Sequence, residues 1–270
     1  MKNIEVITEY LERQDITVAP VKVHPSFLWL SDEAKPGSVE WSVIAAQADT
    51  KINIQQLGAE AMSLASMAAV HMLDAQVGDT VLDVCAAPGM KSLYMSMLTQ
   101  GIELHCNDVS AARIARMRRL LSKYQADASI TQHDARYLDK VFEPESFDRI
   151  LIDAPCSGEG VILGGNDKLL ATWSPAKVKR LQQLQIKILK NSWALLKPGG
   201  RLVYSTCTLN KNENERVIHK ALKIDVDLHE SALSTDTLPS LKHTQAWRIL
   251  PSETSIGFFV AVLEKQSVIE

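Results

Sequence analysis

Short apolar segments alternate with helical ones along residues 80–223, and this alternation constrains the fold more than any other feature of the sequence. The apolar segments predict five strands, at residues 80–85, 103–106, 128–132, 147–153 and 201–206. Helices are predicted between or after them, at residues 91–98, 111–123, 174–196 and 212–223. Alternation at this spacing predicts an α/β fold with a doubly wound, mostly parallel sheet.

The two ends of the chain do not follow this alternation. Further helices are predicted at residues 1–13 and 54–73. After the repeat, residues 246–250 and 257–263 predict two strands with no helix between them, which suits an antiparallel hairpin. The sequence therefore predicts one seven-stranded domain over residues 54–266, preceded by a short extension over residues 1–53.

Composition excludes several classes of protein. The formal net charge of −3 argues against a strongly electrostatic nucleic-acid binder, although it leaves room for a local basic patch. None of the four cysteines forms a CxxC pair, so no metal site is expected. No signal peptide is expected, because the first residues lead into a mixed, charged segment, and no apolar run is as long as a membrane span. A cytoplasmic protein with free thiols is therefore expected, without membrane contact.

Small and acidic residues follow the predicted strands. The first strand leads into a helix through Cys85, Ala86, Ala87, Pro88, Gly89, Met90 and Lys91, where small residues let a ligand approach the backbone. The next three strands are followed or closed by Asp108, Asp134 and Asp153. The loop alone is compatible with a plain strand–turn–helix junction, but the acids at one sheet edge predict a nucleotide-type ligand. The absence of GxGxxG and GxxxxGK[ST] motifs disfavours NAD and ATP.

Two cysteines are predicted at the same edge of the sheet. Cys156 follows Pro155 after the fourth strand, and Cys207 follows Thr206 after the fifth. Two thiols over one cofactor pocket indicate covalent catalysis, in which one thiol attacks and the other helps release the product. The residues alone do not decide which cysteine has which role.

Four motifs together resemble those of the Sun-family RNA (cytosine-5)-methyltransferases, at residues 83–92, 107–108, 153–158 and 204–208. Residues 257–261 resemble the last core strand of that family, so that the resemblance runs from about Ile54 to Leu263. It implies a Rossmann-like class I methyltransferase fold. The chain departs from the family at Met90, where a second glycine is usual, and a thioether there is expected to crowd the cofactor.

The resemblance also implies a cofactor and a role for each candidate residue. S-adenosyl-L-methionine would lie with its methionine part against residues 85–91, its ribose on Asp108 and its adenine on Asp134, with Arg113 in the same group. Asp153 would face the sulfonium, and it stays open whether it also contacts the base or the cofactor alone. Cys207 would attack the cytosine and Cys156 would assist release. In cytosine-5 DNA methyltransferases the nucleophile follows a proline, as Cys156 does, so the reversed assignment stays open.

The implied substrate is a structured ribosomal or transfer RNA. The extension over residues 1–53 and the basic helices at 111–123 and 174–196 are candidates for contacts with it. Residues 159–172, which include three glycines, are expected to form a mobile lip over the substrate. Because the extension is short for the family and the net charge is negative, weak affinity for naked RNA is expected, and with it a ribonucleoprotein particle or a protein partner.

Two other functions compete with this reading. A non-catalytic S-adenosylmethionine-binding RNA assembly factor would need neither thiol, so the presence of Cys156 and Cys207 argues against it. Exocyclic-amine methyltransferases resemble one another in an Asn/Asp-Pro-Pro-aromatic motif, whereas this chain has Ala154-Pro155-Cys156 after Asp153.

Overall fold

The computed structural model describes residues 4–17, 26–28, 43–45, 62–231, 245–252 and 255–266. Helix α1 spans Glu5–Glu12, and strands β1 (Ser26–Leu28) and β2 (Val43–Ala45) pair antiparallel. Helix α2 (Leu64–Leu73) begins after Ser63, whose side chain accepts a hydrogen bond from the Ser66 amide. The earlier part of the helix predicted from residue 54 lies outside the described residues.

The main sheet contains eight strands, which alternate with helices along the chain. In order, these elements are β3 (Thr80–Asp83), α3 (Met90–Leu98), β4 (Glu103–Asn107), α4 (Ala111–Lys123), β5 (Ser129–Thr131), a 3-10 helix (Ala135–Lys140), β6 (Phe147–Asp153), α5 (Glu159–Leu163), α6 (Asp167–Thr172), α7 (Pro175–Leu195), β7 (Leu196–Thr206), α8 (Glu215–Leu222), β8 (Asp227–Ser231), β9 (Gln245–Ile249) and β10 (Phe258–Glu264). The strand order is β5-β4-β3-β6-β7-β10-β9-β8. All eight run in one direction except β10, which is antiparallel to both neighbours.

The predicted α/β alternation is confirmed, and so is the antiparallel pairing of the last two strands. The sheet has eight strands rather than the predicted seven, because β8 was missed. This strand lies at the sheet edge with β9 as its neighbour, and its sequence, Asp-Leu-His-Glu-Ser, contains no apolar run. Strand β7 also begins earlier than predicted, directly after α7, and runs through Pro198, Gly199 and Gly200.

Alternating side chains of the central strands feed two separate cores, as expected for a sheet covered on both faces. In β3, Val81 packs with residues of α2, α3 and α4, whereas Leu82 packs with residues of α7 and α8. In β7, Val203 joins the first core, and Tyr204 joins the second. The helical layers therefore fix both faces of the sheet and leave the carboxyl edge open for a site.

Helix α1 packs onto the same domain rather than standing apart from it. Ile7, Leu11 and Ile16 form a third core with residues of α5, α6 and the start of α7, including Trp173. Residues 159–172, expected to form a mobile lip, thus form two short helices with buried side chains. A domain boundary after residue 53 stays a prediction, because residues 46–61 lie outside the described ranges.

Candidate active site

A cavity of about 810 Å³ opens at the carboxyl ends of β3, β4, β6 and β7. It brings together eight of the predicted site residues, namely Cys85, Lys91, Asp108, Arg113, Asp134, Asp153, Cys156 and Cys207. Residues 86–90 do not line it and instead form the turn behind it. The convergence follows from the topology, since parallel strands place their carboxyl ends at one edge of a sheet.

The turn from β3 into α3 is shaped by Gly89. Its φ of +105° is a left-handed conformation that favours glycine, and a Cβ at this position would lie 2.8 Å from Cγ of Met117 in α4. The neighbouring Met90 packs against the first core instead of lining the cavity. The expected crowding of the cofactor by this side chain stays a prediction.

The acidic residue after β4 is held by two partners. Only 2% of the Asp108 side chain is exposed, and its carboxylate accepts from the Ser110 amide at 2.9 Å and from Arg113 at 3.1 Å. Arg113 also donates to the carbonyl of Ala87, so it joins the β3 turn to the end of β4. The sequence prediction that Arg113 belongs with Asp108 agrees with this geometry.

Asp134 caps the 3-10 helix and forms an ion pair with Arg136. Hydrogen bonds from Arg136 lower the pKa of Asp134 and so keep it ionised. Arg136 also lines the cavity, which the sequence reading missed. The sequence signal for Arg136 was its position two residues after Asp134, which is close enough for an ion pair.

Asp153, at the end of β6, lies between two other strand ends. Its Oδ2 is 2.7 Å from Nζ of Lys91, and its Oδ1 accepts from the Ser205 hydroxyl at 3.2 Å. About a third of the side chain, 35%, stays exposed to the cavity. The carboxylate is therefore fixed in direction but still accessible to a ligand.

The two cysteines lie in direct contact. Their Sγ atoms are 3.1 Å apart, because β6 and β7 are neighbours and each cysteine follows its strand closely. The hydrogen bond with Cys207, and then burial, raise the pKa of Cys156 well above its usual value. Burial also raises the pKa of Cys85, which lines the cavity, and raises that of Cys106 to about 12. Both Cys85 and Cys106 are therefore protonated at neutral pH.

A buried polar network beneath the cysteines was missed by the sequence reading. Glu159 and Glu213 are its centre, and Trp173 and Tyr204 contribute to it. The Trp173 indole donates to Glu159 at 2.8 Å, and the Tyr204 hydroxyl donates to the Glu213 carbonyl at 2.7 Å. These two aromatic side chains are thus part of the protein interior.

The two predicted basic helices differ in their relation to the cavity. Exposed Arg180 and Lys187 of α7 line it, whereas α4 contributes only Arg113. In the described ranges, no helix is long and apolar enough to cross a membrane. Over the same part of the chain, no cluster of three or more His, Cys, Asp or Glu side chains could hold a metal ion.

Comparison with known proteins identifies the family of this chain. The family model described as "16S rRNA methyltransferase RsmB/F" matches residues 70–264. The probable ribosomal RNA small subunit methyltransferase B of Bacillus subtilis is 37% identical over 74% of this chain and 46% of its own length. The ribosomal RNA small subunit methyltransferase B of Shewanella oneidensis is 36% identical over 73% of this chain and 45% of its own. The chain thus spans less than half the length of these curated relatives.

Solved structures show the same relationship. NSun6 from Pyrococcus horikoshii, determined with SFG, superposes with a TM-score of 0.66 and 25% identity, over 84% of this chain and 59% of that one. A methyltransferase homologue from Pyrococcus horikoshii gives a TM-score of 0.63 and 26% identity, over 97% and 83%. The fold is therefore Rossmann-like, as in these methyltransferases. The resemblance to the Sun family is confirmed, and the chain belongs to the 16S rRNA methyltransferase RsmB/F family.

Proposed function

We propose that this chain transfers a methyl group from S-adenosylmethionine to carbon 5 of a cytosine in RNA. The observation that carries the proposal is the contact of Cys156 with Cys207, at 3.1 Å, in a cavity that Asp108, Asp134 and Asp153 also line. The family description names 16S ribosomal RNA, which favours ribosomal over transfer RNA as the substrate. The four free cysteines suit a reducing compartment such as the cytoplasm.

The residues of the cavity fit S-adenosylmethionine. Its volume of about 810 Å³ is ample for a nucleoside and a base together. Asp108 and Asp134 offer carboxylate oxygens to ribose hydroxyls and to an adenine amine, and Asp153 offers one near the sulfonium. The related NSun6 structure holds SFG, an analogue of this cofactor. When bound, the cofactor supplies the methyl group as an electrophile.

We assign the attack on the base to Cys207. Carbon 5 of cytosine becomes nucleophilic only after a thiolate adds to carbon 6, which splits one difficult step into two easier ones. The raised pKa of Cys156 keeps that thiol protonated, and its sulfur lies within hydrogen-bond distance of the Cys207 sulfur. Cys156 is therefore a poor nucleophile and a good stabiliser of a neighbouring thiolate.

Cys156 and Asp153 would then act on the adduct. After methyl transfer, a water molecule in the open cavity would take the proton from carbon 5, the electron pair of that C–H bond would form the double bond to carbon 6, and Cys207 would leave carbon 6 as a thiolate. Cys156, in contact with the attacking sulfur, is placed to assist that release. Asp153, oriented by Lys91 and Ser205, is placed to accept a hydrogen bond from the base as the thiolate adds.

The RNA would approach along α7. Arg180 and Lys187 lie on the cavity side of this helix, so they can contact phosphates on either side of a base that has left its stack. The other basic side chains that line the cavity, Lys91, Arg113 and Arg136, are each paired with an aspartate, and the net charge is −3. Weak binding of unstructured RNA is the consequence, and a ribonucleoprotein particle or a protein partner would supply the remaining affinity.

Trapping of a covalent complex tests the function. With ribosomal RNA and S-adenosylmethionine, the Cys156→Ala variant should accumulate an RNA–protein adduct that survives denaturing electrophoresis, because attack proceeds and release is impaired. Cys207→Ala should give no adduct, and Cys85→Ala serves as a control thiol from the same cavity. An adduct only with Cys207→Ala would reverse the roles. Bisulfite sequencing of the RNA then identifies the methylated cytosine.

The alternative functions predict other outcomes. An exocyclic-amine methyltransferase would transfer methyl groups without an adduct in either cysteine variant. A non-catalytic assembly factor would bind S-adenosylmethionine without methylating any RNA. The direct contact of the two sulfurs favours neither alternative, because neither activity uses a thiol pair.

A further inference from the structure

Two buried carboxylates belong to the segments that follow the two cysteines, and the chemistry proposed above uses neither. Glu159 and Glu213 are each 0% exposed. Asn210 donates to both, at 2.8 Å to Glu159 and 2.9 Å to Glu213. The Ser157 hydroxyl contacts both as well, and its contact with Glu213 is very short.

The connections are reciprocal between the two cysteine-bearing loops. Glu213 follows Cys207 in the chain but accepts from the backbone amide of Ser157, next to Cys156, at 3.0 Å. Glu159 follows Cys156 but accepts from the backbone amide of Leu209, close to Cys207, at 3.2 Å. Each loop is thus held by the carboxyl group of the other.

Helix α7 contributes a further side chain to this hydrogen-bond network. The Gln185 side chain donates at 2.9 Å to both the Pro155 carbonyl and Glu213. Pro155 is the residue before Cys156, so this contact fixes the other flank of that cysteine. Both flanks of Cys156 therefore depend on Glu213.

The pair holds less than two full charges. Every hydrogen bond that the two carboxylates accept in the described structure comes from a neutral group. Burial, and then repulsion from Glu159, raise the pKa of Glu213 to about 7. The titratable groups that face the pair are Cys156, Tyr204 and Tyr10, all neutral near that pH because their pKa values are raised. Glu213 therefore carries a proton over the pH range below about 7, whereas an exposed glutamate would be ionised there.

We propose that Glu159 and a protonated Glu213 form a buried carboxyl pair that sets the spacing between Cys156 and Cys207. Both are positioning residues, since they act through the loops and do not line the cavity. The inference deepens the proposed function and rests on it for its catalytic meaning. The spacing of the sulfurs itself can be measured without any methyl transfer.

Thiol cross-linking in the full chain measures that spacing. Diamide accepts the two hydrogens of a thiol pair and leaves a disulfide, and sulfurs 3.1 Å apart should react quickly. Glu213→Ala should slow formation of the Cys156–Cys207 disulfide at least tenfold, as followed by mass spectrometry. Glu213→Gln, which keeps the shape and the neutral form, should stay within threefold of the unsubstituted protein. A rate for Glu213→Ala equal to that of the unsubstituted protein overturns the proposal.

A matched control separates spacing from general stability. Asp148 also accepts from a backbone amide and a side chain, but at the other end of β6, far along the strand from the cysteines. Asp148→Asn should lower the melting temperature without slowing the cross-link. Equal slowing in Asp148→Asn and Glu213→Ala at matched melting temperatures would reduce the pair to a structural role and overturn the proposal.

If Glu213→Ala does not fold, a second measurement tests the proposal. The pKa of Glu213 rises on folding from its usual 4.5 to about 7, so its stabilising effect is full below 4.5 and lost as the pH rises to 7. From pH 5 to pH 8, the melting temperature should therefore fall more in the unsubstituted protein than in Glu213→Gln. Parallel curves of melting temperature against pH overturn the proposal.

The cross-linking experiment also separates this proposal from the proposed function. A cross-link that depends on Glu213, in a chain that methylates no RNA, supports the carboxyl pair and refutes only the proposed function.

Discussion

Nζ of Lys91 lies 2.7 Å from Oδ2 of Asp153 and so links the helix after β3 to the end of β6. Both side chains line the cavity, and only 12% of the lysine is exposed. A half-buried pair of this kind orients a carboxylate more than it stabilises the fold, since much of the attraction offsets lost hydration.

Replacement of the lysine should therefore affect turnover more than stability. We expect Lys91→Met to lower kcat about tenfold, equivalent to about 1.4 kcal/mol, because Asp153 loses its fixed direction. Lys197→Met is the matched control, since its ammonium also lies 2.7 Å from an aspartate, Asp148, at the opposite end of β6. Methylation kinetics that show equal losses for the two variants would contradict this role.

The contact of α7 with RNA can be tested within the helix itself. The double variant Arg180→Ala/Lys187→Ala should weaken RNA binding and make the slope of log affinity against log salt shallower by about 1.4, the value for two phosphate contacts on a single strand. Lys179→Ala/Lys190→Ala removes the same charge from residues that do not line the cavity. Equal effects in filter binding at several salt concentrations would rule out a specific path along the cavity side.

Asp83 should make stability depend on pH. It is buried, its Oδ2 accepts from Ser92 at 2.6 Å, and its Oδ1 has no partner. Burial raises its pKa from 3.8 to about 7, so its contribution is full below 3.8 and is lost as the pH rises to 7. In this window, ionisation of Asp83 should lower the free energy of unfolding by up to about 1.4 kcal/mol per pH unit. Asp83→Asn should lack this contribution, as urea denaturation at several pH values would measure.

The control for Asp83 is another aspartate of the same sheet. Hydrogen bonds from Lys197 and Thr80 outweigh burial and lower the pKa of Asp148, so its ionisation is complete above pH 5. Asp148→Asn should shift the stability by a constant amount between pH 5 and pH 8. A constant shift in Asp83→Asn as well would show that Asp83 titrates normally.

Substitution of Gly89 by alanine should destabilise the fold more than the same substitution at Gly78. At Gly78, with φ +90° and nothing within 4 Å of an added Cβ, alanine should cost only the backbone strain of about 1–2 kcal/mol. At Gly89 the same strain is joined by the clash with Met117, which should add about 1–3 kcal/mol. Denaturation midpoints of the two alanine variants measure the difference. Equal midpoints would mean that Met117 of α4 moves away from the new Cβ without loss of stability.

The fold and the cavity lining could be read from local signals, but the network behind the cysteines could not. Asp108, Asp153, Cys156 and Cys207 each follow an apolar run, and parallel strands gather such positions at one edge. Glu159 and Asn210 hydrogen-bond across 51 residues of chain, and neither belongs to a periodic pattern. Only the tertiary arrangement of the two loops makes them neighbours.

Local sequence patterns also could not predict which basic side chains would line the cavity. Helices α4 and α7 are similarly basic, yet Arg180 and Lys187 line the cavity whereas Arg116 and Arg119 do not. Helical periodicity gives the exposed face of each helix, but which helix borders the open edge depends on strand order. Strand β8 was missed for a related reason, since its pairing with β9 rather than its apolar content defines it.

Strand β10 is the last of the sheet in sequence, although it lies between β7 and β9 in space. Strands β9 and β8 therefore have no place to join the growing sheet until residues 258–264 have left the ribosome. Phe258 and Ile256, which line the cavity, arrive with them. A nascent chain therefore carries both thiols by residue 207, before the two cavity-lining side chains at residues 256 and 258 have been added.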